Sequence, residues 1–145
     1  MARPSGDKTR CNGRWTEAKF TAFVKNNLRM ASRKWAPIGD CLKEANVRRG
    51  IYLCACCNQE VPITIKVEGE RKRKNNVYVD HIVPIIDPRV GWTTWDDCIN
   101  RMFAEGDNLQ VLCDECHSAK TKEETALAVK RRATNKLNLT GGIDE

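Results

Sequence analysis

Asn108-Leu109-Gln110-Val111-Leu112-Cys113-Asp114-Glu115-Cys116-His117 is the stretch on which the fold turns. Leu109–Leu112 is an apolar run of strand length, and from Asp114 a segment rich in Lys, Glu and Ala reads as a helix to about Lys136. Between the two stands a C-x-x-C pair, Cys113 and Cys116. A second pair, Cys54 and Cys57, lies upstream in Cys54-Ala55-Cys56-Cys57. Each pair places two thiolates on one side of a tight knuckle, and two knuckles together make the tetrahedral four-sulfur cage that zinc prefers. The competing readings are redox-active dithiols or simply buried cysteines; two C-x-x-C pairs in one small chain favour zinc. Cys56 could replace a member of its pair. Cys11, Cys41 and Cys98 fall outside the pattern and read as small apolar residues.

The rest of the composition is consistent with a metal staple. The chain has 145 residues, 41% apolar and 30% charged, so its core is thin. Structural zinc can contribute on the order of 10 kcal/mol to folding. No run of about 18 apolar residues is present, which excludes a spanning helix and a membrane partner. The opening MARPSGDKTR lacks the apolar stretch of a secretory signal, so the expectation is a cytoplasmic, reducing setting and not a disulfide scaffold. Lys plus Arg number 25 against 19 Asp plus Glu, a net +6. The whole excess sits in residues 1–50, with twelve basic and four acidic residues there. That imbalance is either a solvated helix face or an arm that grips a polyanion.

The pattern suggests three regions: a basic arm with helices over 1–50, a second domain over 51–136, and a flexible tail over 137–145. Residues 1–14 read as a loose arm. From Trp15-Thr16 onward, Phe20, Phe23, Val24, Leu28 and Ala31 mark one apolar helical face, expected to be core. A second short helix is expected over Asp40–Val47, closed by Gly50. Val61–Val67 alternates like a strand, Glu70–Asn76 is a basic turn, and Val77–Val79 resumes a strand into Asp80 and His81. Thr94 with Asp97 resembles a capping box opening a helix over Trp95–Phe103, stopped by Gly106.

The two histidines of the chain, His81 and His117, are each placed beside one of these features. Asp80-His81-Ile82-Val83-Pro84, then Asn108-Leu109-Gln110-Val111-Leu112-Cys113, then Cys116-His117 with Lys120-Thr121, resembles the HNH endonuclease motif over about residues 51–124. Arg14-Trp15-Thr16-Glu17-Ala18, with Ala31-Ser32-Arg33-Lys34-Trp35, also resembles small free-standing HNH proteins of tailed bacteriophages. The resemblance implies an α+β fold with a zinc-stapled ββα-metal core, to which this chain adds an N-terminal helical segment. Val77–His81 would be the first strand, Asn108–Leu112 part of the second, and Cys116–Lys130 the helix. The 26 residues between His81 and Asn108 would then be a helical insertion, packed on the outside.

By the same resemblance, His81 is the general base, suited to that task by an imidazole that is neutral near physiological pH. Asp80 and His117 would ligate a catalytic divalent cation. An O plus N donor set suits Mg²⁺ or Mn²⁺ and tolerates Co²⁺ or Ni²⁺. Asn108 would fix the loop carrying His81, or itself ligate the metal. Because neighbours on a regular strand point to opposite faces, Asp80 and His81 could serve metal and water together only if the strand bends there. Phosphate contacts are expected from Lys120 and Lys122 and from the turn Arg71, Lys72, Arg73 and Lys74, with the N-terminal helices as a third clamp. Lys130, Arg131 and Arg132 are as readily solvated.

The expected function is metal-dependent cleavage of DNA, by nicking or double-strand cutting, in a phage-encoded protein of homing, packaging or host-DNA-degrading type. Its partners would be DNA, with a second copy of the chain or packaging proteins. A non-catalytic zinc module that binds nucleic acid explains the cysteines and the charge, but not Asp80, His81, Asn108 and His117 together. A cysteine redox protein explains neither histidine.

Overall fold

The computed structural model describes residues 6–140, so the first five residues of the expected arm and the last five of the expected tail lie outside the described residues. The chain divides into two compact units, Met1–Trp35 and Ala36–Glu145. Among the described residues it is a small α+β protein with four α-helices and three small antiparallel sheets.

In the first unit, Arg10 and Trp15 close a tight loop through paired backbone hydrogen bonds of 3.0 Å. Helix α1 (Glu17–Ser32) follows. Thr16 caps it, its hydroxyl accepting from the Lys19 amide at 3.2 Å. Arg10 donates to both carboxylate oxygens of Glu17 and lies over the Phe20 ring, 4.3 Å from its centroid. The apolar stripe of α1 is not the buried core that its periodicity predicts. Phe20, Val24 and Leu28 are half-buried, Ala31 is exposed, and Phe23 is 52% exposed with its ring 5.0 Å from that of Trp15.

The second unit opens with helix α2 (Ala36–Ala45). It begins four residues before the expected Asp40, because Pro37 sits in its first turn, where a missing N–H costs nothing. It also ends before the expected Val47: Asn46 already belongs to strand β1 (Asn46–Arg48). Gly50, at φ +74°, turns the chain into β2 (Ile51–Leu53), which pairs on its far side with β3 (Glu60–Pro62). The expected continuous strand Val61–Val67 is broken at Ile63. Val61 faces Tyr52 in the first sheet, whereas β4 (Thr64–Ile65) pairs with β5 (Lys74–Asn75) in a separate ribbon. Pro62 has no amide to continue the ladder, and the Asn76 side chain donates to its carbonyl at 3.0 Å, holding the break open.

Strand β6 (Val77–His81) runs antiparallel to β7 (Leu109–Cys113), with Val77 opposite Cys113 and His81 opposite Leu109. Between them lie helix α3 (Trp95–Met102) and a 3₁₀ turn over Gly106–Asn108. The Thr94 hydroxyl accepts from the Asp97 amide, but the Asp97 carboxylate takes the Thr93 hydroxyl, so the capping box is half formed. Helix α3 ends at Met102, and Gly106 opens the turn instead of stopping the helix. Nor is this segment merely external: Cys98 and Met102 are buried, Met102 completely. Helix α4 (Asp114–Thr140) runs past the expected end at Lys136 and takes in the start of the expected tail.

The buried core is small, as the composition requires. Cys54, Leu112 and Cys113 form its centre, with Val61 and Cys116 packed against them. Of the cysteines read as apolar filler, Cys98 is buried and Cys41 half-buried, but Cys11 is exposed at a left-handed φ of 54°. No described helix is long and apolar enough to cross a membrane.

Candidate metal centre and histidine site

The first knuckle follows β2 directly. The Cys54 amide donates to the Gln59 carbonyl and the Asn58 amide to the Cys54 carbonyl, both at 3.0 Å, with Asn58 in the left-handed region that Asn tolerates. The Ala55 amide donates to Val111 at 2.8 Å, tying this knuckle to β7. The second knuckle is the junction of β7 and α4, where Cys113 ends the strand and Cys116 sits in the first helical turn. The four sulfurs of Cys54, Cys57, Cys113 and Cys116 lie within 4.8 Å of one another. Cys57 and Cys113 Sγ are 3.9 Å apart. A tetrahedral ZnS₄ site needs sulfur separations of about 3.8 Å for Zn–S bonds of about 2.3 Å. The cage can therefore hold zinc, and Cys56, though exposed nearby, is not needed for it.

The thiols do not share one acidity. Burial opposes ionisation of Cys54, yet the amides of Cys113, Cys57 and Cys56 overcome it and bring its pKa down to about 6. The Cys113 amide lies 3.3 Å from Cys54 Sγ. Burial pushes Cys113 up, and the neighbouring sulfurs, Cys113 foremost, push Cys116 far above the ordinary thiol range. One thiolate suppresses its neighbours until a cation offsets their charge.

The second cluster lies where β6 ends. Tyr78 and Asp80 alternate onto one face of β6 and meet α4 there. The Tyr78 ring stacks on that of His117 with centroids 4.6 Å apart. Asp80 Oδ2 accepts from Lys120 Nζ at 2.6 Å and from Gln110 Nε2 at 3.2 Å. Lys120 also donates to the His81 carbonyl at 2.6 Å and pairs with Glu124 at 3.1 Å. Burial opposes its charge, but hydrogen bonds to Asp80 and Glu124 outweigh that and hold its pKa above the usual lysine value.

His81 belongs to the other face. Its Nε2 lies 2.9 Å from the carbonyl oxygen of Met102, the last residue of α3. A carbonyl only accepts, so Nε2 carries the proton and Nδ1 of the neutral ring carries the lone pair. The strand does not bend between Asp80 and His81, whose ladder partners are the consecutive residues Gln110 and Leu109, so the bend that would bring both residues to one face is absent.

Asn108 spans the two chain segments that leave this strand end. Its Oδ1 accepts from the Val83 amide at 2.9 Å, its Nδ2 donates to the Val83 carbonyl at 3.4 Å, and its own carbonyl takes the Ile82 amide at 2.9 Å. It thus holds the loop that follows His81.

The basic residues of the 71–74 turn divide. Arg73 is folded back onto the side-chain and backbone oxygens of Thr64 at 2.9 and 3.0 Å, and Lys74 pairs with Asp114 at 2.9 Å. Arg71 and Lys72 are exposed, as is Lys122 on α4. Sequence reasoning missed three participants: Gln110, Glu124 and the Met102 carbonyl. Gln110 was findable, since it is the ladder partner of Asp80; the other two depend on how α3 and α4 pack. Comparison with protein-family models, with curated proteins and with solved structures returned no match.

Proposed function

We propose that this protein is a metal-dependent DNA endonuclease of the HNH type, with the β6–β7 hairpin and α4 as its ββα core and zinc in the four-cysteine cage. The observation that carries the reading is the order of these residues around β6: Asp80 and His81 end the strand, Asn108 holds the loop that follows, and His117 stacks on Tyr78 on the Asp80 face, next to the cysteine cage. The short phage-like blocks of the sequence point the same way and make a phage-encoded protein, acting in the host cytoplasm in homing, packaging or DNA degradation, the natural setting.

The donor set fits a hard divalent cation. Asp80 offers a carboxylate and His117 an imidazole, from the β6 face and the α4 face that meet each other. Mg²⁺ or Mn²⁺ asks for few protein ligands and keeps waters for the rest. Bound there, such an ion supplies Lewis-acid stabilisation of a phosphate and its leaving oxygen. The chain does the remainder. His81, with Nε2 held by Met102, presents Nδ1 to accept a proton from the attacking water. Asn108 holds the following loop, which fixes the imidazole without needing to ligate the ion itself. Lys120 balances the Asp80 charge and can turn to Glu124 when Asp80 takes another partner. Because β6 does not bend, Asp80 and His81 stand on opposite faces, so the scissile phosphate would have to lie across the strand end for the two to act on it together.

The pairing of Asp80 with Lys120 is the observation that favours the second reading, a non-catalytic zinc module binding nucleic acid, because it engages the carboxylate the chemistry needs. One experiment separates them: supercoiled plasmid incubated with zinc-loaded protein and Mg²⁺ or Mn²⁺, beside EDTA and the His81→Ala variant. Relaxed circles from the parent alone establish the nuclease. Intact plasmid across metals, with duplex still bound, establishes the module.

A further inference from the structure

A groove of about 370 Å³ lies along the second half of α4, far from the cysteine cage in sequence and lined by Arg89, Leu127, Lys130, Arg131, Thr134 and Asn135. Three of these six are cations, two carry uncharged hydrogen-bonding groups, and none is acidic. The cleft beside the cage is lined differently: Glu115 and Glu123 accompany a single cation, Lys120. The contrast extends along the helix. Residues 114–127 hold four carboxylates and two lysines, whereas residues 128–140 hold Lys130, Arg131, Arg132 and Lys136 and no acid.

Acids at the start of a helix and cations at its end suit the helix macrodipole, and that alone could explain α4. It does not explain Arg89, which comes from a separate loop to the same groove. That loop is built to stay there. Arg131 donates to the Pro88 carbonyl at 3.1 Å. Gly91, at φ +86°, lies so close beneath the Arg131 guanidinium that a Cβ would come within 2.8 Å of Nη1. Arg131 is thus the pin, and Arg89 and Lys130 are the two charges left to face a ligand.

We propose that this groove is a second phosphate-binding site for duplex DNA, on the same helix as Lys120 but separate from the strand end that carries Asp80 and His81. The proposal rests on the nuclease reading only for the identity of its polyanion. Lys120 and Lys130 are ten residues apart, about 15 Å along a helix. At about 3.4 Å of duplex per phosphate on one strand, the groove meets the backbone some four phosphates from the strand end. Thr134 and Asn135 add hydrogen bonds of the kind that position DNA without reading its sequence.

The test is binding of a 30-base-pair duplex by the zinc-loaded full chain, followed by fluorescence anisotropy with no other divalent cation, over a salt series. The R89Q/K130Q double variant leaves the Arg131 pin in place. The K43Q/K66Q double variant removes the same charge outside the groove and serves as the control. The expected result is an affinity loss of roughly tenfold at low salt for R89Q/K130Q. Its log–log salt slope should be shallower by up to about 1.8, at about 0.9 per phosphate contact. The control should shift by less than threefold with an unchanged slope. Equal affinity of R89Q/K130Q and parent, the same loss in both variants, or no binding by the parent overturns the groove. Plasmid nicking by the parent is scored separately. A parent that binds through the groove but never nicks leaves this proposal standing and removes the nuclease.

Discussion

Lys120 Nζ lies 2.6 Å from Asp80 Oδ2, and the two side chains are only 23% and 16% exposed. An ion pair this sheltered differs from the exposed Arg10–Glu17 and Arg48–Glu60 pairs, whose partners sit largely in water and contribute little. Removing Lys120 leaves Asp80 with Gln110 as its remaining donor. Lys120→Met is therefore expected to destabilise the zinc-loaded protein by about 2 kcal/mol, read as a lowered midpoint in urea unfolding. Asp80→Asn in the same background should recover part of the loss, because it removes the uncompensated charge. If Lys120→Met unfolds at the parent's midpoint, the pair is not a structural element.

The same pair sets a pH dependence with a defined sign. The pKa of Lys120 is raised in the folded protein, so its contribution is full below the unfolded lysine value of about 10.4 and is lost as pH rises through the folded value. The parent should lose stability on the alkaline side more steeply than Lys120→Met, and the two should run parallel from neutral pH to about 9. Parallel curves throughout the alkaline range would show that Lys120 makes no net electrostatic contribution.

Zinc should release protons in a pH-dependent number. With Cys54 near 6 in the metal-free protein, its proton is still present at lower pH and gone at higher pH. Proton release per zinc should fall by about one as pH rises through about 6, measured by titration calorimetry in buffers of different ionisation enthalpy. Cys113→Ala should lose stoichiometric zinc and melt far earlier than the parent, since it opens the cage and removes a residue from the centre of the core. Cys56→Ser should keep one zinc per chain.

How much of this was legible beforehand depends on the range of the forces involved. The four cysteines of the candidate metal cage were readable because C-x-x-C spacing is a local constraint, and their sulfurs do converge. Strand β6, strand β7 and the start of α4 were readable because apolar runs bounded by turn residues carry their own period. The breaking of Val61–Val67 was not, because alternation persists through Ile63 while the strand changes partners. The exposure of Phe23 was not either: a stripe on α1 predicts a buried face only if something covers it. The partners of Lys120 were missed because a lysine beside a nuclease-like motif reads as a phosphate ligand, and only packing shows that Asp80 and Glu124 already flank it.

Asn108 offers the sharpest separation between structure and chemistry. Its side chain serves the Val83 amide and carbonyl, both on an exposed loop, so water can replace it when it is removed. Asn108→Ala should cost only about 1 kcal/mol of stability and leave the zinc content unchanged. The same change frees the segment after His81, and a base must sit within hydrogen-bond reach of its water to act. A displacement of about 1 Å can cost on the order of 100-fold in rate. Plasmid nicking should therefore fall by about that factor while duplex affinity stays within twofold of the parent. Asn108→Asp keeps the acceptor for the Val83 amide and should retain more activity than Asn108→Ala. Should both variants nick at the parent's rate, the Asn108 side chain is a turn element and nothing more, and His81 is placed by its ladder, by Lys120 and by the Met102 carbonyl.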